Sequence, residues 1–286
     1  MPDTDLQTGV MAAPRFRSLV TFVDCDPRCW KRLDASIEIA RAQGAHLTVL
    51  ALRYDPNIPA YAFGDGVGAS MMHMLESSRE EAVARAKEAK AALEAADIRG
   101  EAIPCVTLFR DVEREVANVA RFADLAIVSP PYGEAVSGTA SDILDGTLYD
   151  CDVPVLVLPE ALTTVDTKTV LIGWDGSRQS LKAVKGALPL LQQAERVEIC
   201  IFDPEGGSPG QSLATMLARH DVAVEIAALP RPTGSVAAAL AQRAREIGAG
   251  LLVMGAYGHS RFRESIIGGV TRETLEDVTV PLLLAH

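Results

Sequence analysis

Three apolar runs from the first half of the chain return, in the same order, in the second. Ser18–Asp24 (SLVTFVD) lies on Thr169–Asp175 (TVLIGWD), Ala123–Ser129 (ADLAIVS) on Ala249–Gly255 (AGLLVMG), and Val153–Pro159 (VPVLVLP) on Val280–His286 (VPLLLAH). Each is a short β-branched or leucine-rich run, the pattern of a buried strand. A repeat of this length commits the chain to two copies of one plan, so a fold assigned to one half must also serve the other. The first pair is offset by 151 positions and the other two by 126 or 127, which leaves about two dozen extra residues in the first copy. Those extra residues are expected between Asp55 and Glu80.

Helical patterns separate the runs. Trp30, Leu33, Ile37 and Ala40 recur at steps of three and four, as do Leu181, Val184, Leu188 and Leu191. Segments near Ser78–Ala96 and Ser235–Ile247 are alanine-rich with interspersed charges, which suits helices laid against a sheet. Strands such as Leu251–Met254 lack polar alternation, as parallel strands covered on both faces require. The alternation predicts an α/β fold: two doubly wound, five-stranded parallel-sheet domains in tandem, of the Rossmann-like nucleotide-binding type. Their expected bounds are residues 14–159 and 168–286, with Pro159–Lys168 as the linker. In such sheets ligands bind beyond the carboxyl ends of the strands, where the strand order reverses.

Composition narrows the partners. The 286 residues are 48% hydrophobic and 23% charged, enough for a sizeable core. With 27 basic against 38 acidic side chains the net charge is -11, which argues against nucleic acid or an anionic membrane as partner and confines any polyanion to a local site. The acidic opening segment lacks the basic and apolar regions of a secretory leader, and no apolar run is long enough to span a bilayer. The expected location is therefore cytoplasmic. Five scattered cysteines are unlike a disulfide framework; only Cys25 and Cys29 are close, and the histidines form no pattern that would complete a metal site with them.

The stretch Met254–Leu275 places one glycine pair at Gly255 and Gly258 and another, nine residues on, at Gly268 and Gly269. The first pair follows a strand. The second precedes a helical pattern, where unpaired amide N–H groups favour an oxyanion. His259, Arg261, Arg263 and Arg272 are close enough in sequence to add donors. The spacing reads as a phosphate cradle, although the same glycines also serve more plainly to end a strand and cap a helix. Asp175, at the end of the first strand of that half, suits either a ligand contact or a cap for the next helix.

The motif G-x2-G-x9-G with a small residue after it, together with Val170–Ser177 (VLIGWDGS), resembles the nucleotide-binding motif and first strand of the universal stress protein family. The order of elements over nearly the whole chain resembles a tandem member. The resemblance implies a stress-response regulatory protein that binds ATP, or ADP or AMP, with Mg accompanying the phosphates, and that carries no catalytic residues of its own. It would put Trp174 and Asp175 at the adenine, Met254 and Gly255 beside the base and ribose, and Gly258, His259, Gly268, Gly269 and Val270 along the ribose and phosphates. Gly269 stands where the family most often has Ser or Thr, so one neutral hydrogen bond of about 0.5–1.5 kcal/mol is missing. The family also implies pairing of the last strands, Val153–Leu158 with Val280–Ala285, as an internal pseudo-dimer; pairing of whole chains into a homodimer and the protein partners stay open. The alternatives are a nucleotide-free interaction or scaffold protein and a slow ATP hydrolase.

The first half departs from the motif. Ser129-Pro130-Pro131-Tyr132-Gly133 replaces Gly255–His259, so two prolines remove N–H donors. Ser141 and Asp142 fall at the places of Gly268 and Gly269, where a carboxylate repels phosphate while also suiting a helix start. This half is expected to bind no nucleotide and to act as a scaffold. Gly206–Gly210 fits the hydrolase elbow G-x-S-x-G, but Pro209 lacks the N–H the elbow needs, so a loop and helix start are expected. Gly64–Gly68 reads as a mobile insertion, and no G-x4-G-K-[ST] loop is present.

Overall fold

The apolar runs become the strands of one sheet. The computed structural model describes residues 15–26, 28–54, 67–132, 138–162, 164–202, 210–256 and 269–286, with side chains of the second helix described from Met72 onward. The first half runs β1 (Ser18–Val23), α1 (Cys29–Gln43), β2 (His46–Tyr54), α2 (Val67–Ala95), β3 (Gly100–Thr107), a 3-10 turn (Phe109–Asp111), α3 (Val112–Ala120), β4 (Leu125–Val128), α4 (Ala140–Tyr149) and β5 (Val155–Val157). The second runs β6 (Thr169–Gly173), α5 (Arg178–Leu191), β7 (Arg196–Phe202), α6 (Gln211–Ala218), β8 (Glu225–Leu229), α7 (Val236–Ile247), β9 (Leu251–Gly255), α8 (Gly269–Glu276) and β10 (Leu282–Ala285).

The strand order is β3-β2-β1-β4-β5-β10-β9-β6-β7-β8, so both halves use the same doubly wound order. Eight of the neighbouring pairs are parallel, and β5–β10 alone is antiparallel, with Leu156 opposite Leu283. Each half-sheet thereby satisfies its inner edge with the other's, which removes two exposed edges at once. The expected internal pseudo-dimer is a continuous ten-stranded sheet. Because the seam is antiparallel, the strand carboxyl ends of the two halves point to opposite edges of the sheet.

Two apolar layers cover the faces. Leu33, Ile37 and Ala40 of α1, Leu93 of α2, Val184 and Leu191 of α5 and Leu217 of α6 pack on one face. Val116 of α3, Leu144 of α4, Leu240 of α7 and Leu275 of α8 pack on the other. The three-and-four spacing seen in the sequence is the buried stripe of α1 and α5. The length difference between the halves is in part helical: α2 spans 29 residues, while its counterpart α6 spans 8. Val67 and Gly68, expected in a mobile insertion, open α2 instead; residues 55–66 lie outside the described residues. Among the described residues no helix is long and apolar enough to cross a membrane, and no group of three or more His, Cys, Asp or Glu could hold a metal ion.

Candidate functional site

In the C-terminal half the strand order reverses between β6 and β9, and the helices that leave them, α5 and α8, go to opposite faces. That is where a crevice forms in a doubly wound sheet. Gly173 is in register with Met254, so Trp174 and Asp175 emerge beside Gly255 and Ala256. The fold thus brings together the two segments that the sequence singled out. Trp174 donates its N–H to the Cys200 carbonyl at 3.0 Å and packs half-buried against the core of the α5 face. Asp175 is exposed, and its Oδ1 accepts the Ser177 N–H at 2.9 Å. The cap of α5 is Ser177, whose Oγ accepts the Ser180 N–H at 3.1 Å. Asp175 therefore sets the turn before the helix, and its carboxylate lies at the surface of the crevice.

Met254 and Gly255 are both held by packing. The Met254 side chain is buried in the core beside Leu240 and Gly173. The need for glycine at 255 comes from helix packing: a Cβ there would stand 2.4 Å from the Ser180 backbone N, so only a residue without one lets α5 lie this close to β9. Gly269 opens α8 in an exposed position, and among the described residues a Cβ added there would meet nothing closer than Glu273 Oε1 at 3.8 Å. Val270 follows, half-buried against the core. Arg272 donates its Nε–H to Glu276 Oε1 at 2.8 Å, and its guanidinium lies over the Tyr132 ring, 5.6 Å from the centroid. Gly258, His259, Gly268, Arg261 and Arg263 lie outside the described residues, as does Ser208. Gly210, the last residue of that G-x-S-x-G stretch, is the N-cap of α6, as a loop with a helix start requires.

The equivalent place in the N-terminal half is filled by the protein's own charges. Asp24 ends β1 and repeats the turn of Asp175, its Oδ1 accepting the Asp26 N–H at 3.3 Å. Unlike Asp175 it is buried, 2% exposed. Arg32 of α1, 6% exposed, stands 3.9 Å from Asp24 Oδ1 and donates to the Phe22 carbonyl and to Ser129 Oγ at the end of β4. Thr139, at the start of α4, donates its hydroxyl to Asp24 Oδ2 at 3.3 Å and accepts that of Tyr54 at 2.7 Å. Burial above all, with the Asp24 charge adding to it, holds the Tyr54 phenol above its ordinary pKa, which keeps it a neutral donor. Arg85 donates to the Asp24 carbonyl at 2.9 Å. Asp142 lies in the first turn of α4, and burial raises its pKa. Arg32 and Tyr132 were not singled out from the sequence for this. The available signal was Arg32 beside the apolar stripe of α1, where the 151-residue offset sets Ala183 in α5.

Two doubly wound half-sheets fused at their last strands define a tandem α/β protein with unlike strand ends in its two halves. Residues 212–286 match the model of the Universal stress protein family. A universal stress protein from Archaeoglobus fulgidus DSM 4304 superposes with a TM-score of 0.64 at 17% identity, covering 93% of this chain and 97% of that one. A putative universal stress protein from Pseudomonas aeruginosa UCBPP-PA14 gives 0.52 at 14% identity, covering 94% and 93%. At these identities the likeness is one of fold over the whole chain. No curated protein matches. The chain thus carries the universal stress protein fold twice in tandem, and its last 75 residues match that family by sequence as well.

Proposed function

We propose that the protein is a stress-response regulator that binds ATP, or ADP or AMP, in its C-terminal half, while the N-terminal half is a scaffold without nucleotide. The observation that carries this reading is the asymmetry of the two helix starts. α8 begins with Gly269, exposed, and among the described residues an added Cβ there meets only Glu273 Oε1 at 3.8 Å, which favours the approach of a phosphate to its amides. α4 carries Asp142 in its first turn and has the Asp24 carboxylate bonded to Thr139 at its start. Two carboxylates occupy there the place an anion would need. The adenine would lie against Trp174 and Asp175, the ribose along the backbone at Met254 and Gly255, and the phosphates at Gly269 and Val270. Gly258, His259 and Gly268 complete the motif in sequence, and Mg would accompany the phosphates. The family match spans Gly255 and α8, which supports the same assignment. A regulatory role is in keeping with a cradle assembled from backbone amides.

Gly269 is the position to test, because among the described residues an added Cβ meets only Glu273 Oε1, at an ordinary contact distance of 3.8 Å. Gly269→Asp copies Asp142 and should abolish nucleotide binding in calorimetric titrations with ATP, ADP and AMP, while leaving thermal stability unchanged or raised. Gly269→Ser supplies a hydroxyl donor and should tighten binding by about two- to tenfold, one neutral hydrogen bond. Mass spectrometry of what the denatured wild type releases identifies the bound species. No released nucleotide and no titration with wild type or Gly269→Ser would sink the proposal in favour of a nucleotide-free interaction protein.

A further inference from the structure

We infer that Tyr132, a residue of the N-terminal half, is a positioning residue for the nucleotide site of the C-terminal half, acting through Arg272; the inference rests on the reading just given. α8 spans only eight residues, two turns, which is too short to hold an orientation by its own hydrogen bonds. Its inner face, Thr271, Thr274 and Leu275, is buried against the core. That packing fixes the depth of the helix and leaves rotation about the contact to be restrained from outside. One outer restraint is Arg272, whose guanidinium lies over the Tyr132 ring. It lies in the first turn, three residues after Gly269, so whatever holds it also holds the amides of Gly269 and Val270.

Two groups hold it. Glu276 belongs to α8 itself, with Nε to Oε1 at 2.8 Å, so that ion pair turns with the helix and anchors nothing. Tyr132 belongs to the other half. Its ring lies beneath the guanidinium at 5.6 Å, within the range of a cation–π contact. Tyr132 is a stiff support: it follows Pro130 and Pro131, whose φ angles are fixed, and it packs half-buried against the core. Burial, with Asp145 nearby, raises the pKa of its phenol, so the ring stays neutral and its face keeps attracting a cation. The two prolines that remove amide donors from the N-terminal strand end thus build the ledge on which α8 rests.

The test uses the full chain. Hydrogen exchange of the amides of residues 270–276 is measured without nucleotide, and ATP affinity is measured by calorimetry, for Tyr132→Ala, Tyr132→Phe and Arg272→Gln. Tyr132→Ala should speed exchange in α8 and weaken ATP about two- to fivefold, the size of an exposed cation–π contact. Tyr132→Phe, which keeps the ring, should match wild type in both. Arg272→Gln should reproduce Tyr132→Ala, and the double variant should be no worse than either, which also covers a Tyr132→Ala chain that folds poorly. Unchanged exchange in α8, or unchanged affinity with faster exchange, overturns the inference and leaves the nucleotide reading standing. A Tyr132→Phe variant as impaired as Tyr132→Ala also overturns it, since the hydroxyl would then be the active group. A wild type that binds no nucleotide ends both, and is told apart from the other failures by the wild-type titration alone.

Discussion

Asp24 and Asp175 end equivalent strands and set the same turn, yet one is sealed in the interior and the other faces solvent. The difference is traced to two neighbours. In the C-terminal half the partners are Ala183 and Gly255, and β9 meets the first turn of α5 so closely that a Cβ at 255 cannot be accommodated. In the N-terminal half the same places hold Arg32 and Ser129. Ser129 carries a Cβ, so α1 must stand farther from β4, and the Arg32 guanidinium spans the gap from the Phe22 carbonyl to Ser129 Oγ. One junction is apolar and close-packed, and the other is charged and wide. A single fold plan thus yields a strand end that keeps its aspartate at the surface and another that buries it.

The largest break in this comparison is Arg32→Ala. Removing one partner of a buried ion pair leaves the other charge uncompensated, which costs about 3–5 kcal/mol. Asp24 retains hydrogen bonds to Asp26 and Thr139, so the lower end, about 3 kcal/mol, is expected in urea unfolding. Adding Asp24→Asn should recover part of that loss, because the orphaned charge is then gone. A single variant as stable as wild type would mean that Arg32 merely fills space.

Next in size is Gly255→Ser, which copies Ser129 into the C-terminal half without moving α5. The added Cβ meets the Ser180 backbone N at 2.4 Å, and backbone cannot swing aside as a side chain can. Overpacking of this kind costs about 1–3 kcal/mol. Weaker nucleotide binding should accompany it, since α5 and β9 together frame the crevice. The converse, Ser129→Gly, should destabilise by a different route: it removes the acceptor of a buried Arg32 N–H, a loss of about 1–3 kcal/mol. That loss should vanish in an Arg32→Ala background, whereas the cost of Gly255→Ser should not; a Ser129→Gly loss that persists there would show that the hydroxyl does not act through Arg32.

How much of this was legible in the sequence follows from range. The strands and the helical stripes of α1 and α5 rest on local periodicity and on the internal repeat, the pairing of β5 with β10 was implied by the family resemblance, and all are present in the fold. Trp174 and Asp175 next to Gly255 follow from the same strand order. The burial of Arg32 was not legible, because its partner Ser129 is 97 positions away and a lone arginine on a helix ordinarily lies on its solvated side. Gly255 was expected beside the base and ribose, and the need for glycine there also comes from the Ser180 backbone, a contact between elements that spacing cannot express. Arg272 was read as a donor because it follows the glycine pair, and its contact with Tyr132, across the seam, was not legible from that spacing. The insertion read as loop from its glycines, whereas α2 begins within it because the alanine-rich run beyond propagates helix back to Val67.

The smallest expected effect lies at that seam. The offset of 127 pairs Asp145 of α4 with Arg272 of α8, an acid in one half for a base in the other, and both act on Tyr132. Burial, reinforced by Glu113, Asp142 and Asp150, pushes the Asp145 carboxyl up to about 6 from an ordinary 3.8. Arg272 and Glu276 of α8 face the same ring, so the charges on every packed element are counted in this setting. A carboxyl whose pKa is raised on folding favours the folded state while protonated. Between pH 3.8 and 6 the folded chain keeps a proton that the unfolded chain has released, so this contribution falls as pH rises through that window and stays lost above it. Asp145→Asn should therefore match wild type near the bottom of the window and exceed it by about 1 kcal/mol at neutral pH, a figure reduced for the partial exposure of the carboxyl. Urea midpoints taken from pH 4 to 7 measure it. An Asn variant whose stability declines in parallel with wild type would place the titrating group elsewhere, and Asp142, raised by burial alone, would be the next to replace.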